Sequence, residues 1–573
     1  MFEKIINVIK KDKKEEIEVK DKPWIKWCGK VPHTLTYFEG SIYEYLNNNK
    51  NEFEHLTALE YFKNTFSFKY LMKEIDKCSS ALVKSGVKEN DIVTICMANT
   101  PEAIIAFYSI NKIGAIVNMV HPLSSENEIK NIIVESGSKT LFINDILYKN
   151  IKNIEDDINV KTTIIAPIAN SMDLVTKVLY NLTSKSKVNS NEISNKYVIW
   201  NDFINTDITD TFIRRTKDDD AVILYSGGTT GKSKGVVLSN LCFNALTEAC
   251  KYVVDTAKPG NSMLSFLPIF HGFGLAVSIN APLCLGMKCI LIPKLNTSKI
   301  NKVIKTKKPT ILPVIPALLN VITKDNKLGS NAFSSVKEVL SGGDYLSLDL
   351  KQKAEDYFRN HGSNITIRIG YGLTECTACT SVSLIDNYKN GSIGIPFPDN
   401  YYKIVKTNTH ITADYNEIGE ICISGPTVMK RYLNNEEETY KTLRIHEDGK
   451  LWLHTGDLGY MDEDGVFYYS TRLKRMIISN GYNIYPGELE EIFNRHPNID
   501  SSVVVGVNDE IKVQAVKVII VLKNNVKLTD NLKSEIKEYA KKNIAKYALP
   551  KYYEFINELP KTKVGKVDYR KLQ

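Results

Sequence analysis

Strand-like and helix-like segments alternate along residues 57–145, and this alternation constrains the fold of the chain more than any other feature. The apolar run Ile92–Met97 has the composition of a buried strand, and Glu102–Ile113 has the spacing of a helix. The same alternation returns from Ala221 to about Leu340. Because strands that alternate with helices form sheets covered on both faces, the sequence predicts two layered βαβ-type sheets.

The pattern changes after Gly391, where shorter strands are separated by turns. Gly419–Pro426 has the composition of such a strand, and Asp462–Gly465 is typical of a turn. At 573 residues the chain is long enough for about three to five structural units. Beyond Lys474 two strand-like runs and one helix-like run predict a compact α+β unit: Ser502–Val507, Ala515–Leu522 and Asn531–Ile544.

The stretch Pro259–Met287 carries no formal charge and is long enough to span a bilayer. We interpret it instead as a buried strand, loop and helix around a site. With 43% hydrophobic and 24% charged residues, the composition is that of an ordinary soluble globular protein and excludes a polytopic membrane protein. Residues within the stretch would also leave backbone groups unpaired in lipid: Pro268, His271, Gly272, Gly274, Asn280, Pro282 and Gly286.

Positive charge is concentrated towards the C-terminal end of the chain. Of the net charge of +8, the residues from Ser501 onward carry +7, with fifteen Lys and Arg against eight Asp and Glu. A small basic unit suits an anionic small molecule. The chain shows no pattern of aromatic and basic residues that would stack on bases, so we expect no nucleic-acid partner.

The cysteines and the N-terminal residues bear on location. Ten cysteines without paired spacing predict a reducing compartment, so we expect a cytoplasmic protein. The polar segment Ser184–Asn195 is interpreted as a surface excursion. Apolar residues at the N-terminus fall on one helical face, with lysines behind them: Phe2, Ile5, Ile6 and Ile9. This helix could lie on a membrane surface or on its own domain, and the sequence leaves both open.

Within Ile223–Val236, a strand-like run is followed by a loop that contains glycines, hydroxyl side chains and lysines. Glycines let backbone N–H groups approach phosphate oxygens, hydroxyls add donors, and lysines neutralise charge. The loop is not a Walker A motif, because Ser226 stands where that motif needs glycine and the chain continues as the strand Gly235–Leu238. We therefore expect phosphate to be held between two strands. The candidate ligands are Ser226, Gly227, Gly228, Thr229, Thr230, Gly231 and Lys234.

Together with seven further motifs, this loop resembles the adenylate-forming enzymes, a family that includes acyl-CoA synthetases, luciferases and peptide-synthetase adenylation domains. The motifs occur in the family's order and cover about residues 55 to 573. They are Tyr225–Gly235, Leu267–Gly274, Ser341–Asp344, Gly370–Glu375, Trp452–Asp457, Arg472–Lys474, Gly481–Pro486 and Lys561–Lys566.

The resemblance implies an α/β fold with two domains. A large N-terminal AMP-binding domain, residues 1–473, is expected to contain the two βαβ-type layered sheets and a distorted β-barrel. A small, mobile α+β domain is expected over residues 474–573, turning at the hinge residue Lys474 between two half-reactions.

The resemblance also implies ATP, Mg²⁺ and CoA as cofactors and assigns candidate site residues. A carboxylate suits Mg²⁺, two acceptor oxygens suit a ribose diol, and a tyrosine ring offers a flat face to adenine. The AMP-binding set is completed by Gly343, Asp344, Tyr371, Gly372, Asp457 and Arg472. The catalytic candidates are Lys566, His271, Thr374 and Glu375, with Glu375 also the magnesium ligand. The candidates for CoA binding are Ser479, Gly481 and Tyr482.

The substrate class follows from the acyl-pocket motif. Amino-acid-activating relatives place an Asp there, and Phe270–Phe273 contains none, so an uncharged acyl group is expected. The chain most resembles bacterial long-chain fatty-acyl-CoA synthetases, which implies a fatty acid, ATP and CoA as its partners. Departures from the family pattern are Asp399–Asn400, Arg431 and Asn480, and the last of these bears on CoA as the acceptor.

Two enzymatic alternatives remain open, namely an acyl-AMP ligase that loads an acyl-carrier protein and a CoA ligase for aryl or other carboxylic acids. A non-catalytic binding protein would have lost Glu375, Lys566 or the threonines of the glycine loop, and all of these are present.

Overall fold

A computed structural model of the chain describes residues 22–183, 196–226, 233–325, 328–407, 409–479, 482–509, 513–562 and 567–572. The strands, β1 to β27 in chain order, are Thr57–Tyr61, Asn64–Ser67, Ile92–Cys96, Ile116–Met119, Thr140–Asn144, Thr162–Ala166, Tyr197–Ile199, Asp220–Ser226, Lys234–Ser239, Ser262–Ser265, Lys288–Leu291, Ile311–Val314, Glu338–Ser341, Ile367–Tyr371, Ser381–Val382, Ile395–Pro396, Tyr401–Val405, Gly419–Ser424, Arg431–Tyr432, Leu443–Ile445, Leu451–Met461, Phe467–Arg472, Ile477–Ser479, Tyr482–Ile484, Ile499–Asp509, Val513–Leu522 and Tyr552–Ile556.

The α-helices are Ile42–Asn48, Lys50–Phe53, Phe68–Lys84, Pro101–Lys112, Glu126–Ser136, Tyr148–Ile154, Leu174–Thr183, Trp200–Phe203, Asn240–Val253, Ala281–Cys284, Ile300–Lys307, Pro316–Ile322, Leu348–Asn360, Glu436–Thr442, Pro486–Asn494 and Asp530–Asn543. Short 3₁₀ turns include Thr374–Cys376 and Leu473–Arg475, and a π-helix spans Phe273–Asn280. The predicted N-terminal helical face and the excursion Ser184–Asn195 lie outside the described residues.

Two large sheets form the first part of the molecule. One has the order β16-β15-β14-β13-β12-β10-β11-β1-β2 and is parallel from β14 to β1. The other has the order β19-β9-β8-β4-β3-β5-β6-β7 and is parallel from β8 to β7. The connections between parallel neighbours run through helices, so the expected pair of βαβ-type sheets is confirmed.

One helix is buried along its whole length and belongs to the core of this region. It begins at Pro101, where proline has no N–H to satisfy, and Thr100 caps it by accepting from the N–H of Ala103. The residue before the cap, Asn99, crosses to a distant loop. Its side chain donates to the carbonyls of Ser265 and Leu267 and accepts from the N–H of Ile269.

A five-stranded antiparallel sheet follows and corresponds to the expected distorted barrel. Its order is β17-β18-β21-β20, with β22 paired to β21. The register of β21 and β22 places Asp457 directly opposite Arg472. Side chains of directly opposed residues in an antiparallel pair lie close enough to interact.

The last sheet has the order β24-β23-β26-β25, with β27 parallel to β26. With the helices Pro486–Asn494 and Asp530–Asn543 it forms the expected small α+β unit. The start of the first of these helices meets the end of the preceding sheet. A Cβ atom on Gly487 would lie 2.3 Å from the carbonyl oxygen of Ser470, so this approach requires glycine.

The charge-free stretch has the buried structure expected of it. It contains β10, the π-helix Phe273–Asn280 and the short helix Ala281–Cys284, and most of its side chains are buried. None of the helices among the described residues combines the length and apolarity needed to cross a bilayer. All ten cysteines are free thiols.

We expect the buried ion pair between Glu338 on β13 and Arg368 on β14 to be a major determinant of stability. Both side chains are 1% exposed. Replacing Glu338 with Ala leaves a guanidinium buried without a counterion, at a cost of about 3–5 kcal/mol. Urea denaturation followed by tryptophan fluorescence measures the fall in midpoint. As a control, Asp356→Ala breaks a half-exposed pair with Arg359 and changes stability by at most ~1 kcal/mol. Equal shifts in the two variants would contradict the prediction.

Candidate active site

The glycine loop joins two antiparallel strands. Ser226 ends β8 and Lys234 begins β9, and the two residues are paired across the hairpin. The chain therefore leaves the loop as a strand, which is the arrangement expected for this motif and differs from a P-loop. The loop candidates Gly227, Gly228, Thr229, Thr230 and Gly231 lie outside the described residues.

Tyr432, on the short edge strand β19, contacts two of the candidate residues. The Lys234 ammonium lies 5.0 Å from the centre of the Tyr432 ring and forms an ion pair with Glu438. The Tyr432 hydroxyl donates to Oε1 of Glu375 at 2.9 Å. Burial and the neighbouring Glu375 carboxylate hold the pKa of Tyr432 well above its usual value, so its hydroxyl stays a donor.

Glu375 lies in the 3₁₀ turn Thr374–Cys376, which follows the end of β14. Its carbonyl accepts from the N–H of Met429 at 2.8 Å, and its carboxylate is almost fully buried. Gly372 allows the turn to fold back, because a Cβ atom there would lie 2.2 Å from the carbonyl oxygen of Ala378. A carboxylate is the hard oxygen ligand that Mg²⁺ prefers, so the donor chemistry at Glu375 fits this ion.

Asp457 is a buried carboxylate, 2% exposed, with two partners from different strands. The Tyr371 hydroxyl donates to Oδ2 at 2.8 Å, and Nε of Arg472 lies 2.7 Å from Oδ1. Asp457 is the main cause that raises the pKa of Arg472, while burial and then Asp457 raise the pKa of Tyr371. The guanidinium is half-exposed, so it can still reach a ligand at this edge.

The turn expected on the adenine side follows β13. Gly342 directly follows Ser341, and Gly343 and Asp344 come next. The Asp344 carboxylate accepts from the N–H of Tyr345 at 2.9 Å. Because β13 and β14 are parallel neighbours, the chain leaves both strands at the same edge of the sheet. The structure therefore places this turn beside the segment that carries Tyr371.

The acyl-pocket motif forms the loop after β10. His271 is partly buried, and its ring centre lies 6.2 Å from that of His121. Phe270 packs closer to His121, with the ring centres 4.1 Å apart. Gly272 lies against Ala378, so this loop borders the turn that carries Thr374 and Glu375.

Comparison with known proteins identifies the family of the chain. The model of the AMP-binding enzyme family matches residues 46–433, and the model of the AMP-binding enzyme C-terminal domain matches residues 488–566. The chain belongs to the AMP-binding enzyme family. It is therefore an adenylate-forming ligase.

Similar sequences and structures cover almost all of this AMP-binding enzyme. A long-chain-fatty-acid–CoA ligase of Bacillus subtilis is 33% identical over 96% of this chain and 97% of its own length. The 4-coumarate–CoA ligase 3 of Arabidopsis thaliana is 30% identical over 86% of this chain and 83% of its own. The anthranilate CoA ligase AuaEII, solved with anthranoyl-AMP, has the same fold, with a TM-score of 0.81 at 22% identity over 95% of this chain and 98% of its own.

The hinge candidate Lys474 is exposed and lies in the 3₁₀ turn between the last two sheets. The next residue is held by the α+β unit. Arg475 forms an ion pair with Glu490, and its guanidinium lies 3.8 Å from the centre of the Tyr569 ring. The chain of this AMP-binding enzyme is therefore anchored on both sides of Lys474, at Arg472 and at Arg475.

The remaining candidates lie in or near the α+β unit. Ser479 is buried at the end of β23 and is paired in register with Tyr482 of β24. Gly481 and the catalytic candidate Lys566 lie outside the described residues.

Three residues near the site were not predicted from the sequence. Tyr432 contacts both Glu375 and Lys234, and Glu438 pairs with Lys234. Asn99 holds the loop that leads to His271. The departure at Arg431 could have pointed to Tyr432, because the two are neighbours on the same two-residue strand. Arg431 itself makes two hydrogen bonds to the Asp220 carboxylate, at 3.2 and 2.6 Å.

The departure at Asp399 also has a structural explanation. Asp399 has a φ of +58°, in the left-handed region that favours glycine. Its carboxylate accepts from the N–H of Leu35 and from the hydroxyl of Tyr37, both at 2.8 Å. These hydrogen bonds offset the conformational cost. The third departure, Asn480, lies outside the described residues.

We expect Asp457→Asn to impair nucleotide binding much more than folding. The substitution keeps the size of the side chain but removes the charge that holds Arg472 and replaces one of the two acceptor oxygens with an amide donor. A single oxygen then has to serve both Tyr371 and Arg472. Loss of one such preorganised polar group typically costs on the order of 10²–10³ in rate. ATP–pyrophosphate exchange measures the effect, and the control Asp464→Asn alters a surface ion pair with Lys26. Similar exchange rates in the two variants would contradict the role assigned to Asp457.

Proposed function

We propose that this AMP-binding enzyme activates a fatty acid with ATP and transfers the acyl group to CoA. The observation that carries the proposal is the charge-free acyl motif, in which Phe270 and the π-helix beginning at Phe273 are apolar and no carboxylate is present to pair with an amino group. The near-full-length relative from Bacillus subtilis, named a long-chain-fatty-acid–CoA ligase, supports the same substrate class.

In the first proposed step, a carboxylate oxygen of the fatty acid attacks the α-phosphorus of ATP. The bond from that phosphorus to the bridging oxygen breaks, giving acyl-AMP and pyrophosphate. Both reactants are anions, so the site must lower their repulsion. We assign this task to Lys566, Lys234 and the N–H groups of the glycine loop. Glu375 would hold Mg²⁺, which neutralises phosphate charge when bound.

The nucleotide itself is proposed to lie between the two large sheets and the half-barrel. Asp457 would accept from the ribose hydroxyls, while Arg472 would donate to them. Tyr371 would line the adenine side, together with Gly343 and Asp344. The contacts of Asp457 with Tyr371 and Arg472 support this assignment, because they hold all three side chains in one place.

In the second proposed step, the CoA sulfur attacks the acyl carbonyl and AMP leaves, while the thiol proton is released to solvent. We propose that residues 474–573 form a mobile domain that turns about Lys474 between the two steps. CoA would then pass along Ser479, Gly481 and Tyr482. The position of Lys474 in a short turn between two anchored arginines supports a pivot there.

Two other readings compete with this proposal. An aryl acid is the alternative substrate, and the relatives named 4-coumarate–CoA ligases support it. An acyl-carrier protein remains the alternative acceptor.

A cytoplasmic location with peripheral membrane contact also stays a prediction. The helix Leu174–Thr183 exposes five large apolar side chains, which would suit such contact.

We expect apparent affinity for the acid to rise with chain length. Each CH₂ that enters an apolar pocket near His271 and Phe273 should contribute up to ~0.8 kcal/mol until the pocket is full. AMP release measured with acetate, octanoate, palmitate and an aryl acid, each with CoA or carrier protein, tests substrate and acceptor together. Faster turnover of acetate or the aryl acid than of octanoate and palmitate would contradict the fatty-acid proposal.

We expect the two half-reactions to depend on different residues. Lys566→Ala should reduce acyl-AMP formation by on the order of 10²–10³, because two anions then meet without a cation between them. It should still convert supplied acyl-AMP and CoA to acyl-CoA. Lys474→Pro should do the reverse, because proline restricts the backbone torsion of the pivot.

Single-turnover assays separate these effects. Lys561→Ala is the control for Lys566, since Lys561 lies in the same motif and is exposed beside Glu558. Lys474→Ala is the control for the pivot, because it removes the side chain but keeps the torsional freedom. Equal loss of both half-reactions in Lys566→Ala and Lys474→Pro would show that one orientation serves both steps.

A further inference from the structure

Three of the nine histidines of the chain converge on the half-barrel. None of them is among the candidate site residues, although His454 belongs to the motif Trp452–Asp457. His410 lies in the turn after β17, His446 directly after β20, and His454 on β21. Each offers a ring nitrogen, and these three atoms all lie within 4.8 Å of one another. His446 and His454 are buried, whereas His410 is exposed.

The hydrogen bonds of His454 fix which of its nitrogens can bind a ligand. Nδ1 lies 2.7 Å from Oε2 of Glu420, whose side chain is largely buried. A carboxylate can only accept, so Nδ1 carries the proton and Nε2 presents a lone pair. Nε2 faces Nε2 of His446 at 2.9 Å. The two rings therefore direct ligand-type atoms at one point.

We propose that His410, His446 and His454 form a transition-metal site of the zinc type, with Glu420 as the residue that orients His454. Neutral imidazole is a preferred ligand of Zn²⁺, and three protein ligands leave a fourth position for water. Ligating histidines characteristically donate their other N–H to a carboxylate, which is the role that Glu420 has towards His454.

The geometry needs only small adjustments to accept the ion. Tetrahedral bonds of about 2.0–2.1 Å separate two ligand nitrogens by roughly 3.3 Å. The two Nε2 atoms would move apart from their present 2.9 Å by a few tenths of an ångström. The third ligand is on an exposed side chain, so His410 can adjust its rotamer without disturbing the core, and the water position would lie on its side.

Cys422 is not assigned as a ligand. Its sulfur lies 3.6 Å from Nδ1 of His454, the nitrogen already bonded to Glu420, rather than from the shared Nε2 position. A site built from Glu420, Cys422 and His454 would have to break the Glu420 hydrogen bond first.

The proposed ion would connect separate parts of the half-barrel and lie close to the nucleotide segment. It would join the turn after β17, the turn after β20 and the middle of β21. The other oxygen of Glu420 accepts from the N–H of Gly456 at 2.9 Å, and Gly456 directly precedes Asp457. The site would therefore support the segment that presents Asp457.

Titration of the full-length protein with Co²⁺ tests the proposal. The protein is freed of any affinity tag and stripped with a chelator before the titration. We expect one equivalent of Co²⁺ to produce the visible absorption bands of a four-coordinate site, and one equivalent of Zn²⁺ to abolish them. Absence of these bands in the wild-type protein would overturn the proposal.

Three variants locate the site. His410→Ala removes an exposed ligand, so the protein should fold normally, as circular dichroism would confirm, but lose the bands. Glu420→Gln should weaken Zn²⁺ binding on the order of 10–100-fold. His55→Ala is the matched control, because His55 is an exposed histidine outside the cluster. Bands that persist in His410→Ala, or that disappear in His55→Ala, would overturn the proposal.

Discussion

The contact that most of the candidate site depends on is that of the buried Asp457 carboxylate with Tyr371 and Arg472. A carboxylate at 2% exposure is tolerated only when it is paired and hydrogen-bonded. Its two partners come from β14 of the nine-stranded sheet and from β22 of the half-barrel. One side chain therefore fixes the half-barrel against the sheet and, at the same time, sets the position of the strand that leads to Lys474.

A second group of contacts performs the same task on the phosphate side. Tyr432 touches Lys234 at the end of the glycine loop and Glu375 after β14, so it relates the eight-stranded sheet to the nine-stranded one. Asn99 makes a third connection, between the end of β3 and the loop that carries His271. The parts assigned to phosphate, nucleotide and acyl group thus draw on three sheets, and side-chain contacts across the sheet boundaries hold them together.

Much of the fold could be predicted from the sequence, because strands and helices leave local signals. The helix predicted over Glu102–Ile113 is Pro101–Lys112, and the strand predicted over Ile92–Met97 is Ile92–Cys96. The strand predicted over Ser502–Val507 is longer, Ile499–Asp509, because its pairing with β26 extends beyond the apolar run. The π-helix at Phe273 was not foreseen, since its apolar sequence has no periodicity that distinguishes it from other buried segments.

The site residues also divide into those that could be predicted from the sequence and those that could not. Glu375, Asp457 and Arg472 occur in motifs that are continuous in sequence, so each could be named before its partners were known. Tyr432, Glu438 and Asn99 gain their contacts from residues 57 to 204 positions away, and no local pattern encodes such pairings. His410, His446 and His454 meet for a similar reason: the antiparallel register of the half-barrel brings them together.

The close approach of Gly487 to Ser470 has a consequence for the proposed rotation about Lys474. The carbonyl of Ser470 occupies the space that a side chain at position 487 would need, so this contact can exist only with glycine. A turn about Lys474 would separate the two residues and relieve that restriction. A residue larger than glycine at position 487 would therefore raise the free energy of the present arrangement but not that of the rotated one. The conformational equilibrium would shift towards the rotated arrangement. The balance between the two half-reactions could then be tuned, by selection or by design, at a position that touches no substrate.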